Sequence, residues 1–212
     1  MKLLLATTSE HKVNEIRLIL CGLGLDLLSL DQIAPVAAPL EIGSTFEENA
    51  RLKASVYREA TGYPSLADDS GLEVDALGGS PGVFSSRFAP TDAERIARVL
   101  RKLEHLSGSA DRSRRRARFV CSVCLDWGGS VTRATGTVEG EIALEPSGCS
   151  GFGYDPIFYY PPLGKTFGEM SEGEKNQISH RARALHKLRA ELVRVRIAGS
   201  RLPGGGPDPE DR

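Results

Sequence analysis

Apolar positions recur in two rhythms along the chain, and the rhythm changes mark the elements. Lys2–Ala6 is a short apolar run that turns polar at Thr7, and it reads as a first strand. After the turn Thr7-Thr8-Ser9-Glu10-His11-Lys12, residues Val13, Ile16, Leu20 and Leu23 fall at helical spacing. Asp26–Leu30 predicts a second strand, followed by a loop holding Pro35 and Pro39. Ser44-Thr-Phe-Glu47 has the form of a capping box, which predicts a helix from Thr45 to about Thr61. The run Ser65-Leu-Ala then ends in Asp68-Asp69-Ser70-Gly71, so a buried strand is expected to leave the core at the two carboxylates.

Gly78-Gly-Ser-Pro-Gly82 reads as a tight loop and Thr91-Asp-Ala-Glu94 as a second capping box. Ile96, Val99, Leu100, Leu103 and Leu106 give that helix one apolar face. Ser107–Arg116 is polar and expected to be exposed; strands follow near Ala117–Trp127 and Ser130–Leu144. Ser171-Glu-Gly-Glu174 caps one last helix, with Ile178, Ala182, Leu185, Leu188, Leu192 and Val195 at helical spacing. From Gly199 onward Gly, Pro and charge dominate, which predicts a disordered tail over 199–212 after a single unit over 1–198.

Helices alternate with strands in the first half and long strands gather after Arg116, the order of a mixed α/β fold. A chain of 212 residues can build one large domain or two intimate lobes. Its formal charge of −1 gives no global pull toward nucleic acid or membrane. The opening Met-Lys-Leu-Leu-Leu-Ala is too short for a secretory signal, and no apolar stretch is long enough to span a bilayer, so a cytoplasmic protein is expected. Cys121 and Cys124 lie three apart on an expected strand and so face opposite sides. They cannot share a metal ion and read as inert core thiols.

Four segments carry candidate chemistry. The turn Thr7–Lys12 offers hydroxyls, an ammonium and helix N-terminal N–H groups, which suits a phosphate and equally suits a plain helix cap. It lacks the glycines of a Walker A loop. Asp68 and Asp69 repel each other, so they call for a cation, a shared proton or solvent; a divalent metal and an ordinary turn both fit. Glu41, just outside the helix bearing Glu47, Glu48, Asn49 and Lys53, could reach that pair. Gly148-Cys-Ser-Gly-Phe-Gly-Tyr-Asp155-Pro156 combines glycines that allow close backbone approach with Phe152 or Tyr154 as a flat face for a base. Glu174-Lys-Asn-Gln-Ile-Ser-His-Arg181 places Lys175, His180 and Arg181 near one helix start.

Taken together, Thr45-Phe-Glu-Glu-Asn-Ala, Ala67-Asp-Asp-Ser-Gly-Leu, Leu77-Gly-Gly-Ser-Pro-Gly, Gly151-Phe-Gly-Tyr-Asp-Pro and Glu174-Lys-Asn-Gln-Ile-Ser-His-Arg resemble the inosine triphosphate pyrophosphatase family. The resemblance runs from Lys2 to about Leu192. It implies an elongated mixed α/β sheet with flanking helices, two lobes around a central nucleotide-binding cleft, and a homodimer. It implies Mg²⁺-dependent hydrolysis of ITP, dITP and XTP to monophosphate and pyrophosphate. By the same resemblance Thr7, Thr8, Ser9 and Lys12 would hold the triphosphate, and Lys53 and Ser70 would contact phosphate or sugar. Glu41, Asp69 and neighbouring Asp68 would bind the metal, with Asp69 also the general base. Phe152, Gly153, Tyr154 and Asp155 would line the base pocket, with Lys175, His180 and Arg181 at the purine edge. One departure stands out: Ser9 occupies a place where the family usually has Asn, and a hydroxyl is the shorter donor. Two other readings compete. A septum-inhibitor-type nucleotide pyrophosphatase would act on modified or pyrimidine nucleotides, and should lack the His180-Arg181 pair. A nucleic-acid-binding module would use Arg112, Arg114, Arg115, Arg116 and Arg118, but that cluster has no interleaved aromatics and reads as a solvated loop and strand entry.

Overall fold

The computed structural model describes residues 1–106 and 112–197. Seven strands form one mixed sheet: β1 (Lys2–Leu5), β2 (Asp26–Leu28), β3 (Ser65–Val74), β4 (Arg116–Asp126), β5 (Val131–Ile142), β6 (Phe158–Tyr160) and β7 (Lys165–Thr166), in the order β2-β1-β3-β4-β5-β6-β7. β2 and β3 run parallel to β1, whereas β6 is antiparallel to β5 and β7 to β6. The helices are α1 (Glu10–Leu20), α2 (Phe46–Thr61), α3 (Asp92–Glu104), α4 (Glu172–Ile178) and α5 (His180–Ile197). None of the described helices is long and apolar enough to cross a membrane. Chain contacts divide the protein into two units. The first holds Met1–Asp69, Cys121–Gly136 and the chain from Arg181; the second holds Ser70–Val120 and Thr137–His180.

In the first unit the alternation of β1 and β3 sorts residues onto two faces. Leu3, Leu5 and Leu66 pack with Ile16 and Leu20 of α1 and Leu185 and Leu188 of α5. Leu4, Ala6 and Ala67 pack with Ala50, Ala54 and Tyr57 of α2. Leu3, Leu4 and Leu5 are fully buried, each contributing about 1.5–3 kcal/mol. α2 stops at Gly62, whose φ of 75° is easy only for glycine, and whose N–H donates to Arg58 O.

The second unit centres on Leu72, Val99, Leu103, Val138, Ile157 and Met170 and on a ring cluster. Phe119 and Phe158 lie 4.4 Å apart and Phe158 meets Phe167 at 4.9 Å. Both capping boxes expected here form, Thr91 with Glu94 at α3 and Ser171 with Glu174 at α4.

Several expectations need correction. β3 does not end at the carboxylates: it continues to Val74, and Asp68 and Asp69 lie buried inside it. The box at α2 is shifted by one residue. Thr45 is the cap, accepting from Glu48 N, while Ser44 N and Oγ donate to the Glu48 carboxylate. The expected last helix is two, interrupted by Ser179, whose ψ of 154° is extended. Arg115 is not solvated: it is buried and donates to Ile142 O and Ala143 O, both at 2.6 Å. Arg118 is shared among Glu73, Asp75 and Glu139, so neither arginine presents a charge to nucleic acid. Residues 107–111 and the expected tail lie outside the described residues.

Candidate active site

Alternation along β3 sends its two carboxylates to opposite faces, so each has its own set of partners. Asp68 shares the face of Leu66. Its Oδ2 takes Lys12 Nζ of α1 at 2.9 Å and Arg181 Nε of α5 at 3.2 Å. Arg181 continues to Glu15 at 2.7 Å, giving a chain Lys12–Asp68–Arg181–Glu15 of alternating charge, buried at its centre and half-buried at its ends. Burial pushes the Asp68 carboxyl up, but Lys12, Arg181 and Lys53 outweigh it and hold it well below the usual range. Burial likewise pushes Arg181 down, and Asp68 and Glu15 override it.

Asp69 shares the face of Ala67 and meets α2. Asn49 Nδ2 donates to its Oδ2 at 3.0 Å and Lys53 Nζ lies 3.4 Å from its Oδ1. Lys53 also donates to Glu41 Oε1 at 2.8 Å. Here burial wins. It raises the Asp69 pKa, with Glu41 and Asp68 adding to the rise and Lys53 and Asn49 opposing it. Glu41 and Asp69 are therefore the carboxylates that one cation already draws together. Asp68, expected beside them, is held on the other face.

The turn before α1 keeps its expected form. Thr7 Oγ1 accepts from Ser9 N at 3.2 Å, and the Ser9 side chain makes no cap bond. Thr7 and Thr8 open onto a cavity of about 470 Å³ that Asn14 and Arg17 also line. Ser70 follows Asp69 in β3, half-buried.

In the second unit, Lys175 and Asp155 form a buried ion pair at 2.5 Å. Asp155 also accepts from Phe152 N at 2.8 Å, and the Phe152 ring lies 4.7 Å from the Lys175 ammonium. Gly153 N is held by Asp92 at 2.8 Å. Tyr154 offers no free face: it is buried and its hydroxyl donates to Ser85 O. His180 stacks on Phe119 at 4.7 Å. Lys175, Phe152 and Asp155 thus come together and His180 joins the ring cluster, whereas Arg181 packs in the other unit. The break at Ser179 ends α4 at Ile178 and starts α5 at His180, so Lys175 and Arg181 stand on different helices.

A model of the Ham1 family matches residues 3–191. The chain belongs to the Ham1 family. Among curated relatives, a dITP/XTP pyrophosphatase of Thermus thermophilus is 49% identical over 191 residues, 89% of this chain and 90% of the relative. A dITP/XTP pyrophosphatase of Exiguobacterium sp. is 46% identical over 194 residues, 91% of this chain and 97% of the relative. The solved structure of a HAM1 protein from Coxiella burnetii superposes with a TM-score of 0.83 at 44% identity, covering 92% of this chain and 99% of that one. The Staphylococcus aureus Ham1 protein gives 0.82 at 38% identity, covering 91% and 98%. The mixed seven-stranded α/β fold is that of the Ham1 structures.

Three residues of this Ham1-family site escaped the sequence reading in their roles: Asn49, Glu15 and Asp92. Asn49 and Glu15 stand on amphipathic helices where nothing local distinguishes a partnered polar group from a solvated one. Asp92 lies in the first turn of α3, where the helix dipole favours an acid whatever its role.

The cysteines behave as expected from strand alternation, Cys121 falling in the core of α1 and α5 and Cys124 in that of α2. Burial pushes both thiols up, Cys124 to about 12. A thiol titration of the native protein in mildly alkaline buffer should therefore detect Cys21 and Cys149 alone, and all four cysteines only after denaturation. Native labelling of Cys121 would contradict the packing described.

Proposed function

We propose that this protein hydrolyses deaminated purine nucleoside triphosphates, dITP, ITP and XTP, to the monophosphate and pyrophosphate. The observation that carries the reading is Asp69. It is a buried carboxylate with a raised pKa, oriented by Asn49 and Lys53 in a chain 46% and 49% identical to dITP/XTP pyrophosphatases. A raised pKa suits a group that must accept a proton near neutral pH.

The chain's own groups divide the work. Thr7, Thr8, Ser9 and Lys12 at the start of α1 hold the triphosphate through hydroxyl, ammonium and backbone N–H donors. Lys53 contacts the transferring phosphate, and Ser70 contacts phosphate or sugar. Asp69 orients the attacking water and takes its proton, and the dIMP and pyrophosphate expected as products require attack at the α-phosphorus.

Glu41 and Asp69 fit a Mg²⁺ ion. They are hard oxygen donors already drawn together; burial is the main cause of the raised Asp69 pKa, and a cation would offset both that burial and the repulsion Glu41 adds to it. Among the described residues no group of three or more His, Cys, Asp or Glu is disposed as a metal site. Mg²⁺ is usually held by one or two carboxylates with the substrate's phosphates, so two suffice. When bound, the ion neutralises phosphate charge as the bond to the leaving pyrophosphate breaks.

Phe152 supplies a face for the base, with Gly153 and Tyr154 shaping the loop. The pair Lys175–Asp155 offers a donor and an acceptor together. A 6-oxo purine presents an acceptor beside a donor N1–H, and adenine reverses both, leaving buried groups unpaired at about 1–3 kcal/mol each. His180 supports this edge from the ring cluster. A homodimer, which the family resemblance implies, and a cytoplasmic location, expected from the chain's lack of a long apolar stretch, belong to the same proposal.

The test is product analysis of dITP with Mg²⁺, with and without chelator. The expected products are dIMP and pyrophosphate, lost with chelator and restored by Mg²⁺. Appearance of dIDP and orthophosphate would overturn the reading.

A further inference from the structure

Asn49 stands on the apolar face of α2 beside Ala50 and Ala54, fully buried, where helix packing alone would favour a hydrocarbon. Its side-chain amide is used at both ends. Nδ2 donates to Oδ2 of Asp69 at 3.0 Å, and Oδ1 accepts from Gly43 N at 2.7 Å. The orientation is dictated by the partners, because a backbone N–H only donates and an ionised carboxylate only accepts. Asp at this position would set carboxylate against carboxylate, and Leu would leave two buried groups unpaired.

Gly43 completes the arrangement. A Cβ there would come within 2.7 Å of Asn49 Oδ1 and 2.8 Å of Glu48 Cβ, so the close approach needs glycine. Two residues earlier lies Glu41, and one turn along α2 from Asn49 lies Lys53, which reaches both Glu41 and Asp69. The contacts close a ring: Gly43, Asn49, Asp69, Lys53, Glu41. The ring passes through both oxygens of Asp69: Oδ2 takes the shorter bond, from Asn49, and Oδ1 the longer 3.4 Å contact with Lys53.

We propose that Asn49 is the positioning residue of the hydrolytic step: with its Oδ1 held by Gly43 N–H, its Nδ2 clamps Oδ2 of Asp69 so that Oδ1 of Asp69 faces the attacking water. This rests on the reading of Asp69 as general base.

The test is a double-mutant cycle on dITP hydrolysis with Asn49→Ala and the isosteric Asn49→Asp, each in wild type and in Asp69→Asn. Gly43→Ala serves as an independent probe of the other end of the amide. Circular dichroism checks the fold, and calorimetry measures dITP binding in chelator. Each Asn49 substitution should lower kcat about 10–100-fold, the scale of a misplaced reacting group, with KM and metal-free dITP affinity changed less than about two-fold. In the Asp69→Asn background the same substitutions should cost less than about two-fold further, because their effect passes through Asp69. Gly43→Ala should lower kcat in the same direction. An equal loss in both backgrounds, or a raised KM at unchanged kcat, would overturn the role of Asn49 while leaving Asp69 in place. Wild-type kcat in a folded Asn49→Asp would do the same. Full activity of Asp69→Asn alone would instead remove the base reading on which it rests.

Discussion

Asp69→Asn is expected to lower kcat on dITP by at least about 10²-fold, the lower range for loss of a general base, while the fold stays as stable as wild type or becomes more so. The two outcomes share one cause. Burial, Glu41 and Asp68 disfavour the charged form of Asp69, so its pKa in the folded protein is raised. A raised carboxylate contributes stability that is present below the unfolded value, about 3.9, and is lost as pH rises through the folded value. At neutral pH the ionised Asp69 therefore costs stability, and the neutral amide removes that cost along with the proton acceptor. Thermal unfolding read beside steady-state kinetics would show activity and stability moving apart, the signature of a strained functional group. Full activity, or a large fall in melting temperature, would mean that Asp69 is a structural residue.

Arg181→Met is expected to act in the reverse sense, on stability and not on selectivity. Arg181 is one of the largest fully buried side chains and joins Asp68 to Glu15. Removing one partner of a buried ion pair typically costs about 3–5 kcal/mol, and for a chain of this size that lowers the melting temperature by on the order of 10 °C. Asp68→Asn in the same background should recover part of the loss, because the stranded charge is removed. The ratio of kcat/KM for dITP and ATP should be unchanged; a narrowed ratio would return Arg181 to the base edge. The Asp68 pKa is depressed in the fold, so its stabilisation is present above about pH 3.9, the unfolded value, and is lost as pH falls toward the folded value. Acid titration of wild type against Asp68→Asn would read this directly.

What could be read from the sequence was local. The pairs Thr91 with Glu94 and Ser171 with Glu174 are close enough along the chain to announce their helices, and the alternation around Cys121 and Cys124 placed the two thiols correctly. Misplaced features depended on distant partners. A charged helix residue is normally exposed, so the burial of Arg181 could not be read locally; its partners lie 113 and 166 positions away. Asp68 and Asp69 looked like the end of a strand because interior strand positions seldom hold acids. They stay inside β3 only because α1, α5 and α2 deliver cations to both faces. The break at Ser179 carries no proline or glycine to signal it.

β3 is committed on both faces at once, and this bears on how such a chain can change over generations. Inserting or deleting one residue just before Asp68 would reverse the facing of every side chain between the change and the next compensating bulge. The proton acceptor would then turn toward Lys12 and Arg181, and the structural acid toward Asn49 and Lys53. Neither environment fits its new occupant, so a shift of register destroys catalysis and folding together. Length variation is therefore expected in the connections between elements, and a β3 altered in length should be found only with a second change that restores the alternation.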